Sequence, residues 1–245
     1  MASTSAATGA AAPAPQSLLS RFVGVITSPK ATFEAVTAHP KWFGMLALVT
    51  LIVAICVSLP MTTQAGRDAA LDNQVRQMEN FGMQVSDEMY AQMSQRMWIA
   101  PYQTFASILI ASPIITVILA GILFGVFTAM GGQATFKQLF SVYVHSTVIS
   151  ALAQLFMGPL NYFRGSVSSA TNLAVLLPMI DESSFVGRLL GMVDLFIIWW
   201  LVALAIGLAV LYRRHTQPIA ITLMSVYVVI IVCLAAIMSA LGGSN

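Results

Sequence analysis

The chain has 245 residues, of which 58% are hydrophobic and only 8% are charged, and its formal net charge is +2. A soluble domain carries about 25% charged residues, so a water-covered surface of ordinary size is excluded and an integral membrane protein is indicated. The chain has no basic run interleaved with aromatic residues, which argues against a nucleic-acid partner.

The N-terminal region divides into a tail and two short helices. Residues 1–17 consist mainly of Ala, Ser, Thr and Pro and are predicted to be a disordered tail. Residues 18–41 predict two amphipathic helices too short to span a bilayer. We expect them to lie in the membrane interface or against the bundle, with Arg21, Lys30 and Lys41 near headgroups. An amphipathic helix without membrane contact is the alternative.

Five long apolar stretches predict an all-α, polytopic membrane protein with five transmembrane helices. The fourth is the clearest, because Leu195 to Tyr212 carries no charge and rises about 27 Å as a helix. In the second, Gly121 and Gly125 are spaced as in closely packed helix pairs. The third is the most polar and is expected to close at Gly158 and Pro159. The spans are predicted at about 42–60, 102–130, 136–157, 187–212 and 218–241.

A polar helical insertion is predicted over 62–100, between the first two spans. Within it, the segment 64–98 carries five acidic residues and three arginines. Its apolar residues recur every three or four positions, which is the spacing of one helix face. Asn80 and Gly82 interrupt the pattern, and Ser86 before two acids is typical of a new helix start. We expect a helical hairpin or bent helix outside the bilayer, with its methionine-rich stripe covered by the membrane domain or by a partner.

The distribution of positive charge predicts the orientation. With the N-terminus in the cytoplasm, six lysines and arginines fall in inside segments and five in outside segments, but the inside segments are short. The higher cationic density therefore predicts a cytoplasmic N-terminus and an outside C-terminus.

The candidate chemistry centres on Asp194, a carboxylate at the entry of the fourth span. Ser150 and Gln154 in the third span match its depth, so we expect Asp194 to face the bundle interior near one of them. Two readings stay open: a structural carboxylate that fixes helix register, or a proton, ion or lipid-headgroup site. The full set of candidate intramembrane polar residues is Asp194, Ser150, Gln154, His145 and Tyr143.

Other chemistry finds no support in the residue pattern. No Cys, His, Asp and Glu pattern has metal-ligand spacing, no glycine-rich phosphate loop occurs, and no nucleophile and base can be placed together. We therefore expect no metal, no cofactor, no catalytic residue and no enzymatic activity. Cys56 and Cys233 lie in apolar runs and are expected to be free thiols.

Several motifs nevertheless carry a family resemblance. The segments SPKATFEAV and HPKW precede the first span, GGQATFKQLFSVYV enters the third, and DLFIIWWLVALAIGL lies in the fourth. Over Phe22 to Leu241 the chain resembles the bacterial branch of the Yip-one (Ypt/Rab-interacting protein) membrane-domain family. The resemblance implies five spans, a cytoplasmic N-terminus and a location in the cytoplasmic (inner) membrane of a bacterium. Eukaryotic members are linked to Rab-type GTPases and vesicle traffic. The DLYGP element is absent, and of the family's Gly-Tyr pair only Tyr143 carries over, after Val142.

Two classes of function remain open from the sequence. The first is a non-enzymatic membrane-organising or adaptor protein that contacts lipid and binds a protein partner through segment 64–98 or the N-terminal helices. The second is a small transporter or lipid-handling protein with a polar site between spans three and four. The absence of a detectable inverted repeat or broken helix favours the first.

Overall fold

The computed structural model describes residues 16–165, 167, 169, 171–177, 179–180 and 184–241. The predicted tail therefore lies outside the described residues, apart from its last two positions. Within the described part the regular structure is helical. The helices are α1 (Leu18–Thr27), α2 (Pro29–Ala38), α3 (Phe43–Ser58), α4 (Gln64–Asn80), α5 (Asp87–Arg96), α6 (Ala100–Ala129), α7 (Phe136–Ser146), α8 (Val148–Arg164), α9 (Phe185–Met192), α10 (Leu195–Tyr212) and α11 (Thr216–Leu241).

Four stretches of the described chain are long and apolar enough to cross a bilayer. They are Asp87–Ala129, Phe136–Arg164, Leu195–Tyr212 and Thr216–Ala240. The first predicted span falls on α3, an apolar helix of 16 residues that rises about 24 Å, less than the ~30 Å of a bilayer core. The multi-span helical fold is therefore confirmed, while the count of five crossings remains a prediction.

The helix predicted to close at Gly158 and Pro159 runs on to Arg164. A Cβ on Gly158 would lie 2.7 Å from Cys56 Cβ and 2.8 Å from its carbonyl oxygen. Gly158 therefore serves close packing against α3 and does not end the helix. The end comes at Gly165, whose backbone is left-handed (φ 56°), as is common after the last helical turn.

The fourth predicted span, 187–212, consists of two helices. Helix α9 ends at Met192, Val193 is extended (φ −86°, ψ 105°), and α10 begins at Leu195. The break arises at Asp194, whose carboxylate caps α10 and so fixes the first helical turn at this point. Asp194 consequently lies at a helix end and not inside a helix.

Helices α1 and α2 pack against the bundle. Phe33 and Val36 of α2 are fully buried, and α2 packs against α7 and α10. At this junction a Cβ on Gly207 of α10 would lie 2.6 Å from Val142 Cγ1 and 3.0 Å from the Phe33 ring. Arg21 of α1, expected near headgroups, is only 4% exposed, so that expectation was wrong. Arg21 is buried because α1 packs on α7 and α8, and not at the level of the headgroups.

The polar insertion forms the predicted helical hairpin from α4 and α5. The turn contains Gly82 with a left-handed backbone (φ 78°), and Ser86 accepts a hydrogen bond from the Met89 amide at 3.3 Å to cap α5. The Tyr90 hydroxyl donates to Asp72 Oδ1 at 3.1 Å and ties the two helices together. We call Gln64–Arg96 the α4–α5 hairpin.

The two glycines of α6 pack against no other helix in the described part of the chain. Nothing lies within 4 Å of a Cβ built on Gly121 or on Gly125. The contacts of α6 with α3 and α7 use other faces, including the buried Thr116, Ala120 and Phe127. The spacing of two glycines shows where a close approach is sterically allowed, and packing decides whether one occurs.

Candidate functional site

The five predicted site residues occupy two separate places in the fold. Tyr143 and His145 lie on α7, Ser150 and Gln154 on α8, and Asp194 immediately before α10. His145 and Tyr143 belong to a buried group inside the bundle, whereas Asp194 belongs to the connection between α8 and α10. Among the described residues, the Asp194 carboxylate bonds none of the other four.

Asp194 is a capping carboxylate with four hydrogen bonds. Its Oδ1 atom accepts from the backbone amides of Phe196 at 2.8 Å and Ile197 at 3.4 Å. Its Oδ2 atom accepts from the hydroxyls of Ser169 at 2.9 Å and Thr171 at 2.5 Å. A carboxylate at a helix N-terminus is stabilised by these donors and by the helix dipole. All four contacts serve the local structure.

The backbone around Asp194 reinforces this connection. The Leu173 amide donates to the Val193 carbonyl at 2.9 Å, and the Leu195 amide donates to the Thr171 carbonyl at 3.4 Å. From α11, the Tyr227 hydroxyl donates to the Met192 carbonyl at 2.5 Å. The end of α9 and the start of α10 are thus held from two sides.

The partners expected for Asp194 were Ser150 and Gln154, and neither of them bonds its carboxylate. The residues that bond its carboxylate are Ser169 and Thr171, which lie 25 and 23 positions earlier in the chain. The sequence signal that points to them is the Ser- and Thr-rich turn before the fourth span. Comparing the depths of residues in the membrane did not reveal this signal, because 187–212 was treated as one helix.

Gln154 lines a polar cavity that Ser169 also lines. The cavity has a volume of about 350 Å³ and lies between α3, α4 and α8. Its polar lining consists of uncharged side chains, mostly amides, and the Asn161 Oδ1 atom is buried without a hydrogen-bond partner among the described residues. The amide residues of the lining are Asn73, Gln74, Gln77, Gln154 and Asn161.

His145 lies in a fully buried polar group with Ser141 and Arg21, which we call the His145 cluster. The His145 Nδ1 atom lies 2.7 Å from the Ser141 carbonyl oxygen. Because a carbonyl only accepts, Nδ1 carries the proton and Nε2 is an acceptor. His145 Nε2, Ser141 Oγ and Arg21 Nε are all buried without a partner among the described residues.

Arg21 supplies the charge of the His145 cluster. Its guanidinium acts electrostatically on the His145 ring, and burial lowers the pKa of Arg21 from its ordinary value. A buried cation without a carboxylate is unusual, because desolvation opposes it. The Arg21 Nε donor and the His145 Nε2 acceptor both remain without a partner among the described residues.

Tyr143 contributes to the contact between α7 and α10. Its ring meets Trp200 edge-on, with centroids 6.0 Å apart and an interplanar angle of 87°. The Trp200 indole N–H donates to Ser146 Oγ at 3.0 Å, and the Ser146 hydroxyl donates to the Tyr143 carbonyl at 2.7 Å. These bonds use the polar groups of α7 to hold α10. The sequence reasoning missed the roles of Ser146 and Trp200.

The part of the chain that the structure describes contains no candidate metal site. No group of three or more His, Cys, Asp or Glu side chains there is placed to hold a metal ion. Cys56 is a buried free thiol and Cys233 an exposed one.

Comparison with known proteins identifies the family of this chain. The profile of the Yip1 domain matches residues 23–237. The chain is also similar to the protein "Membrane protein YknW" of Bacillus subtilis (strain 168), with 26% identity over 197 residues that cover 76% of this chain and 75% of the relative. No solved structure matches. The multi-span helical bundle and the family profile agree in extent, and the chain belongs to the Yip1 domain family of membrane proteins.

Proposed function

We propose that this protein is a non-enzymatic membrane-organising or adaptor protein that binds a protein partner through the α4–α5 hairpin. The observation that supports it is the apolar stripe along and beside α5, which we call the methionine stripe (Val85, Met89, Met93 and Met97). Met89 is exposed and the other three are half-buried. Helix α5 contributes no buried residue. Met89 is 39% exposed, and at the hairpin turn Phe81 and Met83 are each 49% exposed.

Apolar side chains that are exposed to water in one row favour the binding of a partner that covers them. Methionine suits such a surface, since its flexible, polarisable side chain adapts to different shapes. On α4 the buried Leu71 is already covered. The exposed large apolar side chains of the hairpin thus lie at its turn and on α5.

The charges of the hairpin favour a protein over the bilayer as the covering surface. The segment 64–98 carries five carboxylates and three guanidiniums, a net charge of −2. Anionic headgroups repel such a segment. A protein with a complementary apolar helix face and a basic rim fits both the stripe and its charge.

The proposal extends to topology. Helix α3 packs along α6 and α8, which belong to the candidate spans Asp87–Ala129 and Phe136–Arg164. We therefore propose that α3 is a fifth crossing, that the N-terminus is cytoplasmic and the C-terminus outside, and that the membrane is the inner membrane of a bacterium. In this orientation the hairpin faces outward.

The alternative function is a small transporter or lipid-handling protein with a polar site between α7 and α10. The packing of these two helices supports the adaptor function over that alternative. Gly207 allows α10 to approach Val142 and Phe33 closely. The Trp200 indole is bonded to Ser146. Side chains thus occupy the region where that alternative requires a path.

Photo-crosslinking of the full-length protein in cells tests the adaptor proposal. A benzoylphenylalanine at Met89 should form an adduct with one protein, identified by mass spectrometry, that also co-purifies with the unmodified chain. The same group at Ala91, on the opposite side of α5, should not form it. The triple variant Val85→Ser, Met89→Ser and Met93→Ser should lose co-purification without a change in melting temperature.

A matched control is Ala91→Ser with Gln95→Ser, which should keep the partner. Adducts at Met89 only with lipid, or only with a second copy of this chain, would contradict the proposal. Equal recovery of the partner with the triple variant would also overturn it.

A further inference from the structure

A second cavity lies at the other end of the bundle, between two short turns. One turn joins α6 to α7 and the other joins α10 to α11. The Arg214 Nη2 atom donates to the Met130 carbonyl at 3.2 Å, and the Phe127 and Tyr212 rings stack with centroids 4.5 Å apart. The cavity between the turns has a volume of about 390 Å³ and is lined by Gly131, Gly132, Gln133, Ala134, Gln138, Leu211, Tyr212, Arg213 and Arg214.

The charge of this cavity is entirely positive. Arg213 and Arg214 line it, and no carboxylate belongs to its lining. The Arg214 guanidinium keeps donors beyond the one used on Met130. Two guanidiniums around one concave space form a strong site for a phosphate, because their donors match its oxygens in pairs.

The backbone at Arg213 is the second observation. Arg213 is the only described non-glycine residue with positive φ (52°, with ψ 44°). It follows α10 in a Schellman arrangement, in which the Arg214 amide donates to the Ala209 carbonyl at 3.0 Å. Glycine suits this position best, and an arginine there is strained. This position therefore holds a cation although its backbone conformation favours glycine.

The third observation is an unused donor in the same cavity. The Tyr212 hydroxyl is buried and has no hydrogen-bond partner among the described residues. Its ring is fixed between Phe127 and the turn, where a Cβ on Gly132 would lie 2.5 Å from the ring. Tyr212 thus adds a donor without a described acceptor to a cavity that the two guanidiniums also line.

We propose that this cavity binds the phosphate of an anionic phospholipid headgroup. It lies at the ends of α6 and α10, where lipid headgroups reach the protein, and the exposed Met130 (55%) next to its lining suits an acyl chain. In the orientation proposed above it faces the cytoplasmic leaflet, where basic pockets between membrane helices meet anionic lipid. The inference does not depend on the adaptor function.

The test uses the full-length protein in nanodiscs of phosphatidylcholine, with or without phosphatidylglycerol. Native mass spectrometry measures bound phosphatidylglycerol, and thermal unfolding measures stability. The variant Arg213→Gly should bind phosphatidylglycerol roughly tenfold more weakly. Its melting temperature in phosphatidylcholine alone should equal or exceed that of the unmodified protein, since glycine relieves the strained backbone. Tyr212→Phe should weaken binding by a smaller factor.

Arg164→Gln, which removes an exposed arginine at the end of α8, is the matched control and should leave binding unchanged. Undiminished phosphatidylglycerol binding by Arg213→Gly would overturn the proposal. So would an equal loss with Arg164→Gln, which would mean that only general surface charge attracts the lipid. If inorganic phosphate stabilised the protein in phosphatidylcholine as much as phosphatidylglycerol does, the site would take free phosphate and the lipid assignment would be wrong.

Discussion

The Thr171 hydroxyl donates a hydrogen bond of 2.5 Å to Asp194 Oδ2, across 23 residues of chain. This contact joins the connection after α8 to the first turn of α10. Asp194 also accepts the Phe196 amide, so one carboxylate fixes both the helix start and the segment folded against it. A residue that the sequence presents as a buried charge is thereby a helix cap.

The first prediction concerns this cap. Asp194→Ala should lower the free energy of unfolding by about 1 to 2 kcal/mol, because it strands two amides and two hydroxyls. Asp194→Asn should lower it less, since an amide oxygen still caps the helix. Unfolding in mild detergent checks both, and a cycle with Thr171→Val should give a coupling of about 1 kcal/mol.

The control for the cap is Ser86→Ala, which removes the same kind of cap from the exposed helix α5 and should change global unfolding little. If Asp194→Asn left stability unchanged but abolished a cellular phenotype, the carboxylate would have an ionisable role and the structural reading would fail.

The second prediction concerns the junction of α2, α7 and α10. Gly207→Ala should destabilise the protein by about 1 to 3 kcal/mol, because the new Cβ would overlap Val142 and crowd the Phe33 ring. Gly121→Ala is the matched control and should be neutral or slightly stabilising, since nothing lies near its Cβ. Equal melting temperatures for the two variants would show that this junction is not closely packed.

The third prediction concerns Arg21. Arg21→Met keeps the length and apolar stem of the side chain but removes a buried cation whose Nε atom has no partner among the described residues. We expect the free energy of unfolding to rise by about 1 kcal/mol. Arg76→Met, on the exposed surface of α4, should have almost no effect. A clear loss of stability with Arg21→Met alone would mean that the guanidinium has a partner, such as a bound anion.

The fourth prediction concerns orientation. Alkaline phosphatase fused after Asn245 should be active in cells, because it is active only outside the cytoplasm and the C-terminus is proposed to lie there. A fusion in the loop 213–217 should be inactive. The reverse pattern would reject the proposed orientation and would move the lipid site to the outer leaflet.

Composition and apolar run length were sufficient to predict a multi-span helical membrane protein, because lipid leaves the backbone no alternative to internal hydrogen bonding. Local signals also placed the hairpin of the polar insertion correctly, since Gly82 and the Ser86 cap act through neighbouring residues. These features depend on short-range chemistry, which the residue order contains directly.

Only the tertiary structure decided which polar groups meet. Asp194 bonds Thr171 and Ser169 through a connection whose path has no periodic signal. Arg21 is buried beside His145 because α1 packs on α7, and the turn after α10 meets the turn after α6 through the bond from Arg214 to the Met130 carbonyl. Such contacts depend on how helices dock, which is set by side-chain packing summed over many residues and not by any local pattern.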